Sequence, residues 1–393
     1  AFDRWYRSQP AFAEDPQALL EDGAVYPQRG QFGRYVAQRF AEEARASGGR
    51  LKHLREQALS VNHGEVITDG GRRLQADLLV LAISHPPPSL PTLATPFATH
   101  PALIANPWRA GVLATIAPEA SVAVMGTGLT MADTVATLTR LGHRGPIAAF
   151  SRRGLLSRSN LSGSSEPWPG EYDRGTLRQR LRQIRLDIER AAEQGQAWQV
   201  VLDAVRNQGQ SIWQGLTLAD RQRFLRHLRS YWDVHRYRIA PQVAGVLEQR
   251  QRDGSLRVLA ARLTALEGDA QKLALTLAPR RGETLRVSAD HFILTTGPAH
   301  GGLTDSQPLL RQLSQRGLIR ADAFGFGLDV DRRSRAIGRE GRITPNLLVS
   351  GPAARACFGE LMGLPQVADH AAAVADEALR TLGVKQSARC PAF

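Results

Sequence analysis

The sequence predicts an α/β fold organised around a strand, a glycine turn, a helix and a second strand, and three observations carry that prediction. Ser121-Val-Ala-Val-Met125 is a short apolar run, as expected for a strand buried on both faces of a parallel sheet. Gly126-Thr-Gly128 follows at once: Gly126 suits the angles of a tight turn, and Gly128 lets phosphate oxygens approach without meeting a Cβ. From Leu129 the apolar residues fall on two helical faces (Leu129, Ala132, Ala136 and Met131, Val135, Leu138), which predicts a buried helix leading to a strand that ends at Phe150-Ser-Arg-Arg153. Together these form the pattern of the mononucleotide half of a Rossmann unit.

Such a unit seats a cofactor pyrophosphate on the helix N-terminus, so Gly126, Thr127, Gly128, Leu129 and Thr130 are candidate cofactor-binding residues. The third glycine position is Met131, so the fingerprint is incomplete, and an ordinary strand-to-helix turn is the bland alternative. The tip of the second strand selects the cofactor. An acidic residue there would hold the ribose hydroxyl of NADH, whereas arginine suits the 2′-phosphate of NADPH. Ser151, Arg152 and Arg153 stand at this tip, with no acid until Glu166, which favours NADPH over a reading of two surface arginines.

Composition sets the outer limits. At 393 residues the chain is long enough for two or three domains, and 42% hydrophobic with 22% charged residues is the balance of a globular protein. No apolar run approaches the roughly 20 residues needed to span a bilayer. No signal-peptide pattern opens the sequence, so a cytoplasmic location is expected. Cys357 and Cys390 cannot form a disulfide framework, a zinc site or a C-x-x-C pair, which excludes dithiol reductase chemistry. The net charge of +13 is carried by arginine, since Lys52, Lys272 and Lys385 are the only lysines. Charge alone does not choose among nucleic acid, phosphorylated ligands and coding bias.

Taken in order, the chain opens with a helix or loop at Phe2 to Arg7. Tyr26-Pro-Gln-Arg-Gly-Gln-Phe-Gly-Arg-Tyr35 leads into a helix through about Ala46, with a partial apolar face at Tyr35, Val36, Arg39 and Phe40. Residues 51–81 read as short strands with turns at Asn62-His-Gly64 and Asp69-Gly-Gly71. They end in Ala76-Asp-Leu-Leu-Val-Leu-Ala-Ile-Ser84, followed by His85-Pro-Pro-Pro88 and a proline-rich linker. After Arg153 comes a loop, then about eighty helical residues. Leu177, Leu181, Ile184 and Ile188 mark one helix; Trp198, Val201, Leu202 and Val205 mark another. Thr217 with Asp220 resembles a capping box, and Pro241 suits a first helical position. Strands return at 256–263, 273–277 and 285–287. Ala289-Asp-His-Phe-Ile-Leu-Thr-Thr-Gly297 then echoes the block at Ala76, the pattern of a chain crossing between two domains at the ends of two strands. A last strand at Asn346-Leu-Leu-Val-Ser-Gly351 precedes a closing helix, Pro365 to Leu382.

Several of these blocks carry a family resemblance: Tyr26 to Tyr35, Asn106-Pro-Trp108, Gly126 to Asp133, Gly142-His-Arg-Gly145, Ser151 to Leu156, Trp232 to Arg238, Thr295-Thr-Gly-Pro298 and Ser350-Gly-Pro352. The chain resembles the bacterial FAD/NAD(P)-binding protein family, which is similar in outline to flavin-containing and N-hydroxylating monooxygenases and includes FAD-dependent urate hydroxylases. The resemblance implies a two-dinucleotide-domain flavoprotein, Rossmann-like and three-layered, with β-meander elements and a helical insertion. The expected domains are 1–115, the first part of an FAD-type domain; 116–254, an NADP-binding domain with a helical insertion at 165–250; and 255–393, the return to the FAD-type domain. The family opens with a strand–helix–strand unit whose glycines hold the FAD pyrophosphate, and no such unit precedes Tyr26 here. The chain thus resembles a member without its first segment, read first as a piece of a longer gene product, next as a domain completed by a separate chain, and last as a version that has lost flavin. Ser84 stands where a glycine usually ends the strand. Strands at 79–83, 292–296 and 347–350 are then expected to leave sheet edges for a second copy or a completing chain to cover.

What the resemblance implies is NADPH-dependent reduction of FAD, with electrons passing to oxygen or a small-molecule substrate. It places Thr296, Gly297, Gly351 and Pro352 beside the flavin, with Pro365 to Val367 facing its pyrimidine edge. No catalytic side chain and no metal site is assigned, because no nucleophile triad, H-E-x-x-H or paired His/Cys spacing stands out. His227 and His235 are expected to be structural. The rival reading is a protein that binds NADPH, another anion or nucleic acid without catalysis, suggested by the arginines and aromatics of Arg221 to Arg238. Packing of those aromatics on a core is the favoured explanation, and nucleic-acid binding is not expected.

Overall fold

The computed structural model describes residues 1–384 other than Ser84, Pro87 and Ser164. The readings placed on Ser84, Lys385 and Cys390 fall outside the described residues.

The first stretch builds part of an outer unit. Helices α1 (Phe2–Arg7) and α2 (Pro10–Glu14) precede the long α3 (Arg29–Ala46). Phe2 packs edge-on against Phe32 at 5.1 Å, and Trp5 lies 5.4 Å from Tyr35. The expected apolar face of α3 is not buried: Val36 is 48% and Phe40 39% exposed. Strands β1 (Ala58–Asn62), β2 (Glu65–Thr68) and β3 (Arg73–Gln75) form an antiparallel sheet. His63 and Gly64 both have positive φ, the geometry of a two-residue hairpin turn. Strand β4 (Leu79–Leu81) then leaves for a different sheet.

The inner unit follows. It comprises β5 (Leu103–Ile104), β6 (Val122–Met125), α4 (Leu129–Arg140) and β7 (Ile147–Ser151). Next come six helices: α5 (Leu177–Glu193), α6 (Trp198–Asn207), α7 (Gly209–Gln214), α8 (Leu218–His227), α9 (Arg229–Arg236) and α10 (Pro241–Arg252). Local chemistry sets their starts. Thr176 and Gln179 make a reciprocal capping box for α5, Thr217 accepts from the Asp220 N–H at α8, and Pro241 opens α10. Strands β8 (Leu256–Gly268), β9 (Leu273–Pro279), β10 (Leu285–Ala289) and β11 (His291–Leu294) complete a seven-stranded sheet of order β10-β9-β8-β7-β6-β11-β5. From β8 to β5 neighbouring strands are parallel, and α4 is buried through Met131, Ala132, Thr134, Val135 and Leu138.

This sheet corrects the expected boundaries. Residues 256–294, assigned to the returning outer domain, continue the inner sheet: Ile147 to Ser151 of β7 pair in register with Leu256 to Ala260 of β8. The alternating meander β8–β10 is indistinguishable by pattern from outer-domain strands, and only its pairing settles the matter. Strand β11, expected in the outer domain together with β4, instead lies between β6 and β5. Ala102 to Ile104, before the expected boundary at 116, also belong here, since Ala102 and Ile104 are buried in the two cores of this sheet.

The chain then returns through α11 (Pro308–Gln315), β12 (Arg335–Ile337), β13 (Ile343–Val349), α12 (Arg355–Phe358) and α13 (Gln366–Thr381). β13 lies between β12 and β4, parallel to β4, which is an edge strand of that sheet with Val80 38% exposed. One core joins Leu81 to Leu310, Leu313, Leu328, Leu347 and Val349. The outer unit is therefore built from two distant pieces of chain, with the inner unit inserted between them. The Tyr26 block ties the units together. The Tyr26 hydroxyl accepts from Asn160 at 2.7 Å, and Arg29 lies 3.0 Å from Asp133 of α4.

Candidate functional site

The glycine turn sits at the carboxyl end of β6, where the sheet order reverses. Strand β7 lies on one side and β11 on the other, the point at which open α/β sheets take their ligands. Gly126 has φ +116°, and a Cβ there would fall 2.6 Å from Thr295 Oγ1 and 2.7 Å from the Thr295 carbonyl oxygen. Glycine is thus demanded by the close passage of Thr295, the residue just after β11, as well as by the turn. At Gly128, φ is −91° and a Cβ would meet nothing within 4 Å. No side chain caps α4. Its first N–H groups, those of Leu129 and Thr130 included, are left for a ligand at the positive end of the helix.

Thr127 and Ser151 serve the turn itself. Thr127 is buried, and its Oγ1 donates to the Leu155 carbonyl at 2.6 Å, so it accepts from Ser151 Oγ at 2.8 Å. Ser151 Oγ in turn accepts from the Gly154 N–H at 3.0 Å. Both hydroxyls are engaged in fixing the turn against the tip of β7. Arg153 is stacked over Tyr231, 4.9 Å from the ring centre, whereas Arg152 is exposed.

Beyond the end of β11 lies a cavity of about 300 Å³. Thr296, Gly297, Pro298 and His300 form one wall, and Phe326, Arg355 and Met362 of the returning outer unit form another. The helical insertion closes it with an apolar lining that includes Leu181, Ile184, Trp213, Phe224, Leu225 and Trp232. Trp213 anchors that lining: its Nε1 donates to the Ala356 carbonyl at 2.8 Å, and its ring meets Phe324 at 5.7 Å. The loop carrying Phe324 and Phe326 is set by Asp322, whose carboxylate accepts from the N–H groups of Phe324, Phe326 and Gly327.

Charges at this cavity are mostly paired. Arg236 donates to Glu360 Oε2 at 2.8 Å, and Trp232 Nε1 donates to Glu360 Oε1 at 3.1 Å. Arg229 lies 3.4 Å from Asp233, whose pKa burial raises against the pull of Arg229. Tyr237 is raised by burial and then by Glu360. His300 connects the two interdomain crossings: His85 Nδ1 lies 3.2 Å from His300 Nε2, with the rings edge to face. Burial first, and then Arg355, depresses the pKa of His300 to about 4, so the ring is neutral at pH 7.

The candidates predicted from sequence divide into groups. Gly126, Gly128, Leu129, Thr130 and Arg152 gather at the switch point, and Thr296 and Gly297 line the cavity. Gly351 and Pro352 lie apart from the cavity lining. The Gly351 N–H is donated to His370 Nδ1 at 3.1 Å, which leaves Nε2 to donate to Ser334 Oγ at 2.9 Å. His235 and His227 are outside the cavity; His235 packs on Trp198 at 5.1 Å and bonds the Tyr231 carbonyl, and His227 is exposed. Sequence reasoning missed Arg355, Trp213, Phe326 and the His85–His300 pair. These converge from distant points of the chain, and no local period marks them.

Residues 1–86 match the FAD-NAD(P)-binding family model. No curated protein matches the sequence. Among solved structures the chain is similar to L-lysine 6-monooxygenase from Pseudomonas syringae, with a TM-score of 0.63 at 18% identity over 97% of this chain and 82% of that one. It is also similar to ornithine hydroxylase from Pseudomonas aeruginosa (TM-score 0.61, 15% identity, 97% and 82% covered). A third is the ornithine N-hydroxylase of Kutzneria with reduced FAD, NADP+ and L-ornithine (TM-score 0.59, 14% identity, 97% and 82% covered). The chain shares the two-unit Rossmann fold of these flavoprotein monooxygenases.

Proposed function

We propose that the chain is an NADPH-dependent flavoprotein oxidoreductase of monooxygenase type, acting on a small-molecule substrate. One observation carries the reading: an uncapped helix start with open space at Gly128 stands at the switch point, beside a largely apolar cavity between the two units. The backbone N–H groups at Leu129 and Thr130 would hold the pyrophosphate of NADPH, and Arg152 its 2′-phosphate. Thr127 and Ser151 hold the turn in shape. For FAD, the match over residues 1–86 and the open wall at Gly297, where a Cβ would meet nothing within 4 Å, support a flavin seat at Thr296 and Gly297. Among the described residues no second G-x-G turn opens a helix after a parallel strand, so the pyrophosphate of FAD has no assigned seat here. NADPH and FAD, when bound, supply hydride transfer and the onward passage of electrons. The chain's own part is to place the two groups and to keep the cavity dry with Trp213, Phe224 and Trp232.

The test is an absorption spectrum of the purified protein, before and after FAD addition, followed by NADPH and then NADH under air. Flavin bands bleached faster by NADPH are the expected result. A colourless protein that takes up no FAD but still binds NADPH would replace this reading with the non-catalytic one.

A further inference from the structure

Most charged groups of the cavity are already satisfied. Arg180 donates to the backbone carbonyls of Asp173, Arg174, Gly175 and Ile212, Arg229 faces Asp233, and Glu360 is held by Arg236 and Trp232. Arg355 is the exception. It is only 9% exposed, lines the cavity, and has no ion pair among the described residues. Its guanidinium lies 4.2 Å from the ring centre of Phe326, Nη1 bonds only the Met362 sulfur at 2.9 Å, and Nε is buried with no partner. Asp322, a nearby acid, has its carboxylate spent on three N–H groups. His300 on the adjacent wall adds a buried Nδ1 that also lacks a partner.

Asp233 and Asp322 act on Arg355 only at a distance and are engaged by Arg229 and by backbone N–H groups. The guanidinium thus has no direct carboxylate partner and its Nε is unbonded, and an anion entering the cavity reduces that penalty. The rest of the lining is aliphatic and aromatic, with the two carboxylates neutralised, so it offers little to a ligand's cationic chain. We infer that the cavity takes an organic acid, its carboxylate on Arg355 and its apolar or aromatic body against Trp213, Phe224 and Leu181. The inference rests on reading this cavity as the substrate site. Lysine and ornithine, named for structurally similar enzymes, also carry a carboxylate, and the difference expected here is an apolar or aromatic body in place of their cationic chain.

The test is calorimetric titration of the whole protein, without turnover, using 4-phenylbutyrate, 4-phenylbutyramide and 4-phenylbutylamine. The acid is expected to bind about tenfold or more tightly than the amide or the amine, the step that a charge-assisted contact gives. Arg355→Met should erase the preference and Arg355→Lys restore part of it. Equal or tighter binding of the amine, or no binding of the acid, overturns the inference. So does a preference that survives Arg355→Met. If saturating FAD or NADPH displaces the acid competitively, the anion site belongs to a cofactor phosphate and the inference also fails. If Arg355→Met does not fold, the wild-type comparison of the three ligands still decides. Because nothing here requires flavin, failure of acid binding leaves the absorption test untouched, and a colourless protein leaves the titration untouched.

Discussion

Gly126 and Gly128 stand two residues apart in one turn, yet their substitution by alanine should have opposite consequences. At Gly126 a methyl group would lie 2.6 to 2.9 Å from the hydroxyl, carbonyl oxygen and carbonyl carbon of Thr295, on a backbone held at φ +116°. The obstacle is mostly main chain, so it cannot swing aside. Strain at such an angle costs about 1–3 kcal/mol and overpacking about 1–3 kcal/mol more, which gives a loss of roughly 2–6 kcal/mol for Gly126→Ala. At Gly128 the angle is ordinary and the space open, so Gly128→Ala should change stability by less than about 1 kcal/mol. Its methyl group, however, enters the space assigned to the pyrophosphate, and NADPH affinity should fall about tenfold or more. Urea denaturation reads the first effect and an NADPH titration the second. If Gly126→Ala is as stable as wild type, the close passage of Thr295 is wrong. If Gly128→Ala binds NADPH normally, the pyrophosphate is seated elsewhere.

Arg152→Ala should weaken NADPH about tenfold or more while leaving NADH unchanged, because a charge-assisted contact to the 2′-phosphate is lost; equal losses in the two titrations would show a surface charge only. Arg153→Ala should have the smaller effect on that ratio, since its guanidinium is stacked on Tyr231. His370 is buried with its pKa depressed to about 4. The unfolded chain, with histidine near 6.5, takes up a proton that the folded chain refuses, so stability is full above about pH 6.5 and falls as pH drops towards 4. His370→Gln should flatten the dependence of the denaturation midpoint on pH over that interval, and an unchanged slope would contradict the buried neutral ring. Arg236→Met strands Glu360 in the interior and should cost about 3–5 kcal/mol, much of it recovered in the double variant with Glu360→Gln; a double variant no better than the single would show that the charge is not the cause.

What was legible in the sequence was whatever is encoded locally. The strand at Ser121, the paired apolar faces of α4, the cap at Thr217 and the proline at α10 each depend on residues within one or two turns. Pairing was not legible. The meander after Leu256 has the same alternation whichever sheet it joins, and its register with β7 depends on a neighbour a hundred residues earlier. The cavity was invisible for the same reason: Trp213, His300, Phe326 and Arg355 come from four separated segments. The two threonine and serine hydroxyls at the turn mislead in a different way. Their chemistry suits a phosphate, and only the geometry shows them bonded to each other. At the other extreme, the two Ala-Asp strand blocks look alike in sequence, although the strands they contain lie in different sheets.

The split outer unit has a consequence for how the chain is made. Val61 on β1 exchanges hydrogen bonds with the Gln312 side chain of α11, across a separation of 251 residues. Leu81 likewise completes a core whose other buried members begin at Leu303. During synthesis at about 5–20 residues per second, the β1–β4 region therefore waits on the order of ten seconds or more for its packing partners. The inner unit, complete once β11 has emerged, folds in the meantime. Early termination after β11 should yield a folded Rossmann core with an aggregation-prone leader, whereas the intact chain closes its outer unit last.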